Sequence, residues 1–276
     1  MDSRELRYFV AVAEELNFGR AATRLGIAQP PLSRTIQQLE RRMGVTLLDR
    51  TSRAVALTTA GEVLLHEGKR ALSALTAAER RAQRAGGPTL VLTMKPLSDG
   101  GLLEKMLATF AADPAAVDVE IRICGIGEQA TLLREGEVDV ALLRFPHDEP
   151  DGFAYQELLT EQDVAILPHT HRLADRTSLT MADLSGEVLP RWPGRPPNGG
   201  PLVRDSAQLF QLISLGRAIA LLPASVLHHL RTDLTSVPVV DAPSSTLAIA
   251  WPEDTRSRPL AALVEAAVTA AGGRAR

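Results

Sequence analysis

The chain has 276 residues, 45% hydrophobic and 23% charged, with a net charge of −3 and one cysteine, Cys124. That length accommodates two or three domains, and a lone cysteine excludes an intramolecular disulfide and a cysteine-based metal cluster. No run of 18 uncharged apolar residues is available to span a membrane. The opening MDSRELRYFV carries acidic residues and no apolar core of a signal peptide, so a cytoplasmic location is expected. The net charge hides an asymmetry. Residues 1–86 hold 14 Lys+Arg against 9 Asp+Glu, which is +5; residues 87–276 hold 16 against 24, which is −8. A basic end joined to an acidic body suits a nucleic-acid module fused to something else.

In chain order, residues 3–16 predict a helix that buries Leu6, Phe9, Val10 and Ala13 at i, i+3, i+4, i+7. Asn17 can cap the next helix, in which Ala21, Ala22 and Leu25 are apolar and Gly26 is the break. Gln29-Pro30-Pro31 opens a third helix, because proline suits a first helical turn. Leu32, Ile36, Leu39 and Met43 form its expected buried stripe, leaving Ser33, Arg34, Gln37, Gln38 and Arg41 on other faces. A short helix with Ser, Arg and Gln outward, behind a helix packed across it, is how a helix-turn-helix presents side chains to the major groove. Residues 45–48 and 54–57 read as strands flanking Asp49-Arg50-Thr51-Ser52-Arg53, a hairpin with a basic tip, which completes a winged helix-turn-helix.

Thr59-x-x-Glu62 reads as a capping box that starts a helix running to Gly86-Gly87-Pro88. Leu64, Gly68, Ala71, Leu75, Ala78 and Ala82 alternate steps of four and three, a heptad seam that seeks a twin from a second subunit. Beyond it strands alternate with helices, which predicts βαβ units and a mostly parallel sheet. Strands are expected at 89–94, 117–123, 138–143, 163–167, 218–222 and 247–251. Helices are expected at 98–112, 127–135, 181–184, 208–215, 224–229 and 259–271. The stretch PGRPPNGGP, 193–201, has no element of its own.

The run LRYFVAVAEELNFGRAATRLGIAQPPLSRTIQQLERRMGVTLLDRTSRAVALTTAG resembles the winged helix-turn-helix of LysR-type transcriptional regulators. Ala21-Ala22, Leu25, Gln29-Pro30, Leu32-Ser33, Ile36, Leu39-Glu40, Gly44, Leu47-Leu48, Arg50, Arg53, Leu57-Thr58 and Gly61 carry the resemblance. EGEVDVALL, VAILPHTHRLADRTSLTMADLSGE and LISLGRAIALLPAS are similar to the family's effector-binding domain. Two departures stand out. Gly19 replaces a hydroxyl residue frequent in relatives. The chain is also short between Arg191 and Asp205, which leaves open whether the second lobe still completes a ligand cavity.

The resemblance implies an α+β multidomain protein. A winged helix-turn-helix takes 1–58 and a dimerisation helix 59–87. A periplasmic-binding-protein-like sensor of two Rossmann-like lobes takes 88–276, with lobe I about 88–147 and 253–276 and lobe II about 148–252. It implies double-stranded promoter DNA, a small-molecule effector with an acid as the candidate class, a homodimer or homotetramer, and RNA polymerase as a further possible partner. No cofactor, metal or catalytic group is expected. The alternative is a regulator whose shortened sensor takes no ligand and acts through oligomerisation or a partner protein.

Carried over by position, Gln29, Pro30, Ser33, Arg34 and Gln37 are the DNA-contact candidates on the recognition helix, with Arg50 and Arg53 on the wing. Arg34 suits a bidentate guanine contact and Gln29 an adenine edge, whereas Ser33 suits a phosphate. Ligands of open α/β sheets sit beyond the carboxyl ends of strands, which nominates Lys95 and Ser98, Gly125 and Ile126, Arg144, and Trp192 for the effector. A helix starting near Ser98 would add free N–H groups for an anion. His169-x-His171 lacks a carboxylate or cysteine at ligand spacing, so no metal site is expected there.

Overall fold

The computed structural model describes residues 1–50, 55–84 and 89–272. Chain contacts divide it into two compact units, one of Met1–Gln83 with Arg134–Gly136 and one of the remainder. Among the described residues no helix is long and apolar enough to cross a membrane.

The first unit opens with α1 (Ser3–Glu15), α2 (Phe18–Leu25) and α3 (Gln29–Met43). Asp2 and Glu5 close a reciprocal capping box on α1, and Asn17 Oδ1 accepts the Arg20 N–H at 2.9 Å to start α2. Gly26 and Gly44 end α2 and α3 in the left-handed conformation that glycine adopts without strain. Leu6, Phe9, Val10 and Ala13 of α1 meet Phe18, Ala21 and Ala22 of α2 and Leu32, Ile36 and Leu39 of α3 in one core. Met43, expected on that stripe, is 40% exposed, because α3 stops at Gly44 before its last turn reaches the core.

The hairpin pairs β1 (Leu48–Arg50) with β2 (Val55–Leu57) antiparallel. Its first strand is therefore shifted toward the expected tip, since Leu47 and Leu48 N–H groups are fixed by the Glu40 carboxylate. Residues 51–54, Arg53 among them, and the Gly86-Gly87-Pro88 linker lie outside the described residues.

Helix α4 spans Thr59–Arg84. The capping hydroxyl is that of Thr58, not Thr59: Thr58 Oγ1 accepts the Gly61 N–H at 3.0 Å. Gly61 falls where Glu would complete a capping box, and a Cβ there would overlap the Leu47 carbonyl oxygen. Gly68 is likewise required by close approach, its virtual Cβ lying 2.7 Å from Leu6 Cδ1. Leu64, Leu65 and Leu72 dock beside it, so the first half of α4 belongs to the DNA-binding domain's own core. Farther along the seam, Ala71, Leu75 and Ala78 are exposed.

The second unit is one sheet in the order β4-β3-β5-β9-β6-β7, with β8 on β6. Its strands are β3 (Thr89–Met94), β4 (Asp118–Ile123), β5 (Val140–Phe145), β6 (Phe153–Pro168), β7 (Ala220–Pro223), β8 (Leu234–Pro238) and β9 (Ser244–Pro252). The sheet is mixed rather than mostly parallel. β3 runs parallel to β4 and β5, while every pairing of β9 and β6 is antiparallel. Apolar runs reveal that a strand exists but not its direction, and β9 slots in reverse between β5 and β6.

Helices α5 (Leu103–Ala111) and α8 (Arg258–Ala270) cover one face of the first lobe through Met106, Phe110, Leu260 and Leu263, and α6 (Gln129–Arg134) packs Leu133 on the other. In the second lobe α7 (Ser206–Ser214) and a 3-10 turn at Ala224–His229 pack on Val164 and Ile166 of β6. The first part of β6 pairs with β9 from Phe153↔Pro252 to Gln162↔Ser244, and its second part pairs with β7 and β8. Residues 181–184 form hydrogen-bonded turns instead of a helix, tied by Asp183 Oδ2 to the Thr180 N–H and Oγ.

Candidate DNA-reading helix and effector cleft

The sequence places Gln29, Pro30 and Arg34 on the outward side of α3, where all three are exposed; Gln37 is exposed too and Ser33 half-buried. Gln29, Arg34 and Gln37 side chains have no hydrogen-bond partner among the described residues, so their donors and acceptors are available to a base edge. The α3 axis is held from behind. Glu40, on the inward side, accepts from Leu47 N at 2.9 Å, Leu48 N at 3.1 Å and Arg50 Nη2 at 2.5 Å. One carboxylate thus fixes where the hairpin leaves the helix. Arg50, nominated as a wing contact, has its guanidinium on Glu40 and 5.1 Å from the centre of the Phe18 ring. That placement gives Arg50 an internal task between α2, α3 and β1.

Within the second unit, the ends of β3, β4 and β5 face the segment 191–210 across a cavity of about 160 Å³. Its wall is apolar: Leu97, Ile126, Trp192, Leu209, Phe210 and Leu222. Its polar lining is an ordered chain of charges. Lys95 Nζ lies 2.8 Å from Asp148 Oδ2, and the same oxygen accepts the Arg144 backbone N–H at 2.8 Å. Arg144 is 4% exposed; its Nη1 donates to Glu161 Oε2 at 2.8 Å and to Ser245 Oγ at 3.3 Å. Glu161 is itself fixed by the Ser225 N–H at 2.7 Å and Ser225 Oγ at 3.0 Å. Behind Ser245 sits Asp163, whose carboxyl is held above the usual range by burial.

Four bonds cross between lobes at the rim. Ser206 Oγ donates to Pro96 O, Ile126 N–H to Arg204 O, and Arg195 Nη2 to the carbonyls of Pro146 and His147 at 3.1 Å each. The short loop 193–201 therefore supplies Pro193 and Arg195 to the cavity wall. Leu97, at φ 61, keeps a left-handed backbone that glycine adopts more readily, and this strain lies in the cleft.

Residues 3–62 match the family model described as bacterial regulatory helix-turn-helix protein, lysR family, and residues 82–272 match the LysR substrate binding domain. The chain belongs to the LysR family. It is a DNA-binding transcriptional regulator with an effector-binding domain. The Hca operon transcriptional activator HcaR of Escherichia coli is 32% identical over 91% of this chain and 92% of its own. AlsR of Bacillus subtilis is 32% identical over 85% and 84%. Among solved structures, CbnR complexed with its target DNA covers 98% of this chain and 100% of its own at 25% identity and a TM-score of 0.54. Full-length BenM covers 98% and 96% at 28% identity and 0.51.

Of the residues nominated for the effector of this LysR regulator, Lys95, Ser98, Ile126, Arg144 and Trp192 line this cavity. Gly125 is not on its lining; its N–H is taken by Glu128 Oε2 at 2.8 Å. No helix starts at Ser98. α5 begins at Leu103, because Gly100 and Gly101 both adopt left-handed backbone, and Ser98 Oγ turns back to Lys95 O. The expected anion seat at that N-terminus is thereby lost. Sequence reasoning missed Asp148, Glu161, Arg195, Ser225 and Phe210. Asp148 follows strand β5 by three residues, a signal that strand-end logic could have used. Glu161 and Ser225 become neighbours only through the pairing of distant strands.

Proposed function

We propose that Gln29, Pro30, Ser33, Arg34 and Gln37 read operator DNA, with Arg53 on the wing, and that a small acidic molecule entering the 160 Å³ cleft controls that binding. Arg50 serves this reading indirectly, by anchoring the hairpin to Glu40. Two copies of the chain pair through the outward part of the α4 seam and present two recognition helices to one operator. The protein works in the cytoplasm, with RNA polymerase as its downstream partner and no reaction of its own.

The observation that carries the effector reading is the cavity itself: apolar walled, with Pro193 and Arg195 of loop 193–201 and a buried arginine on its lining. A regulator without a ligand would have no use for such a cavity, so the short loop supports sensing and weighs against the ligand-free alternative. For the DNA side, Arg34→Ala is expected to weaken operator binding by about 1–3 kcal/mol and to relax base preference. Arg53→Ala is expected mainly to reduce the salt slope. Electrophoretic shifts across a salt series measure both; equal affinity and slope in both variants would contradict the assignment.

A further inference from the structure

Residues 1–84 hold five glycines, and four of them have a structural reason. Gly26 and Gly44 take left-handed backbone at the ends of α2 and α3, and a Cβ at Gly61 or Gly68 would collide with Leu47 or Leu6. Gly19 has neither reason. Its backbone lies outside the left-handed region, and the atoms nearest a Cβ built on it are Asn17 Oδ1 at 3.2 Å and Gln29 Oε1 at 3.9 Å. The nearer atom belongs to an exposed side chain with room to shift. Gly19 stands in the first turn of α2, although glycine is a poor helix former. What its missing side chain leaves open is the space beside the end of Gln29, the first residue of α3.

We infer that Gly19 sets the base specificity of Gln29: with no side chain beside it, the Gln29 carboxamide turns freely and accepts either purine at one position of the half-site. This rests on Gln29 being a base reader. An adenine edge uses both ends of a carboxamide, Oε1 accepting from N6–H and Nε2 donating to N7. A guanine edge presents only the acceptors N7 and O6, so it uses Nε2 alone. Gln29 is exposed and has no hydrogen-bond partner among the described residues, so nothing there holds its amide in one orientation. A side chain at position 19 would stand in van der Waals contact with the Oε1 end. A serine hydroxyl on that Cβ has the carboxamide within hydrogen-bonding reach and would hold it in one orientation, which narrows the choice to one purine.

The full-length protein is mixed with a random-sequence duplex library and the bound DNA is sequenced. The parent is compared with Gly19→Ser, Gly19→Ala, Gln29→Ala and the double variant Gly19→Ser with Gln29→Ala, and thermal unfolding confirms that each is folded. At the position that Gln29→Ala releases, the parent is expected to hold adenine and guanine within about threefold of each other. Gly19→Ser is expected to widen that ratio to about tenfold or more at the same position and nowhere else, and Gly19→Ala to widen it less. The serine is expected to have no effect there once Gln29 is alanine, because the two side chains act as a pair. A strict choice of one base in the parent would overturn the inference. So would a ratio unchanged by Gly19→Ser, a serine effect that persists without Gln29, or a folded Gly19→Ser protein that loses binding equally for all sequences. Each of these leaves Gln29 as a reader. If Gln29→Ala alters no position, that assignment falls and the inference with it. The purine ratio is measured on the parent protein, so it stands even if a Gly19 variant does not fold.

Discussion

Arg34 and Arg50 share the same charge and a place in the same domain, yet the structure gives them different surroundings. Arg34 is exposed on α3 with no internal partner, whereas Arg50 closes on Glu40 beneath the hairpin. Sequence spacing cannot separate them, because the difference lies in Glu40, an inward carboxylate ten residues before Arg50 that satisfies two backbone N–H groups as well. Glu40→Ala removes all three bonds and is expected to destabilise the DNA-binding domain by about 3 kcal/mol. Chemical denaturation would show it; a variant as stable as the parent would mean the carboxylate is dispensable. Asp163 poses a different test. Burial raises its folded pKa above the unfolded value, so the folded state favours the protonated carboxyl, and the associated stability falls away as pH rises through that raised value. Ser245, His147, Arg144 and Glu161 surround it; Ser245, His147 and Arg144 oppose the rise and Glu161 adds to it. Asp163→Asn is therefore expected to be more stable than the parent above neutral pH, with the advantage shrinking on acidification. Thermal unfolding over a pH series measures it, and a constant difference would exclude Asp163 as its source.

Helix α4 has two halves with different duties. Gly68, Leu64 and Leu72 tie its first half to α1, where glycine is needed because Leu6 stands against the helix backbone. Leu75, farther on, is 49% exposed on the same seam. Leu75→Glu is expected to leave the monomer fold intact and to weaken self-association by about 2 kcal/mol, the scale of one buried leucine. Sedimentation equilibrium reads it directly; an unchanged association constant would remove this face from the interface. Helix positions of this kind were legible in the sequence, since stripes such as Leu32, Ile36 and Leu39 announce both the element and its buried side. The first half of β6 was not. Residues 155–162, YQELLTEQ, are polar and partly exposed, and they are strand only because β9 pairs with them along seven positions. Pairing of that sort is a tertiary fact with no local signature.

At the scale of the molecule, the basic N-terminal part and the acidic remainder correspond to two units with separate cores. The reading half of the account was almost wholly visible in the sequence, because a helix-turn-helix is local and its outward residues follow from one helix period. The sensing half was visible only in part. Strand-end logic found Lys95, Arg144 and Trp192, but Ser225 and Arg195 reach the cavity, and Glu161 meets Arg144 on its lining, from segments that the fold alone brings together. A single recognition helix contacts few base pairs, so useful specificity requires two copies at a fixed spacing, about one turn of DNA or a multiple of it apart. The most direct measurement is a nuclease footprint on the DNA flanking the gene, with the parent protein and Arg34→Ala at equal concentration. The account predicts two protected half-sites in phase on the helix, both lost together in the variant. A footprint that survives Arg34→Ala unchanged, or protection with no paired spacing, would contradict it.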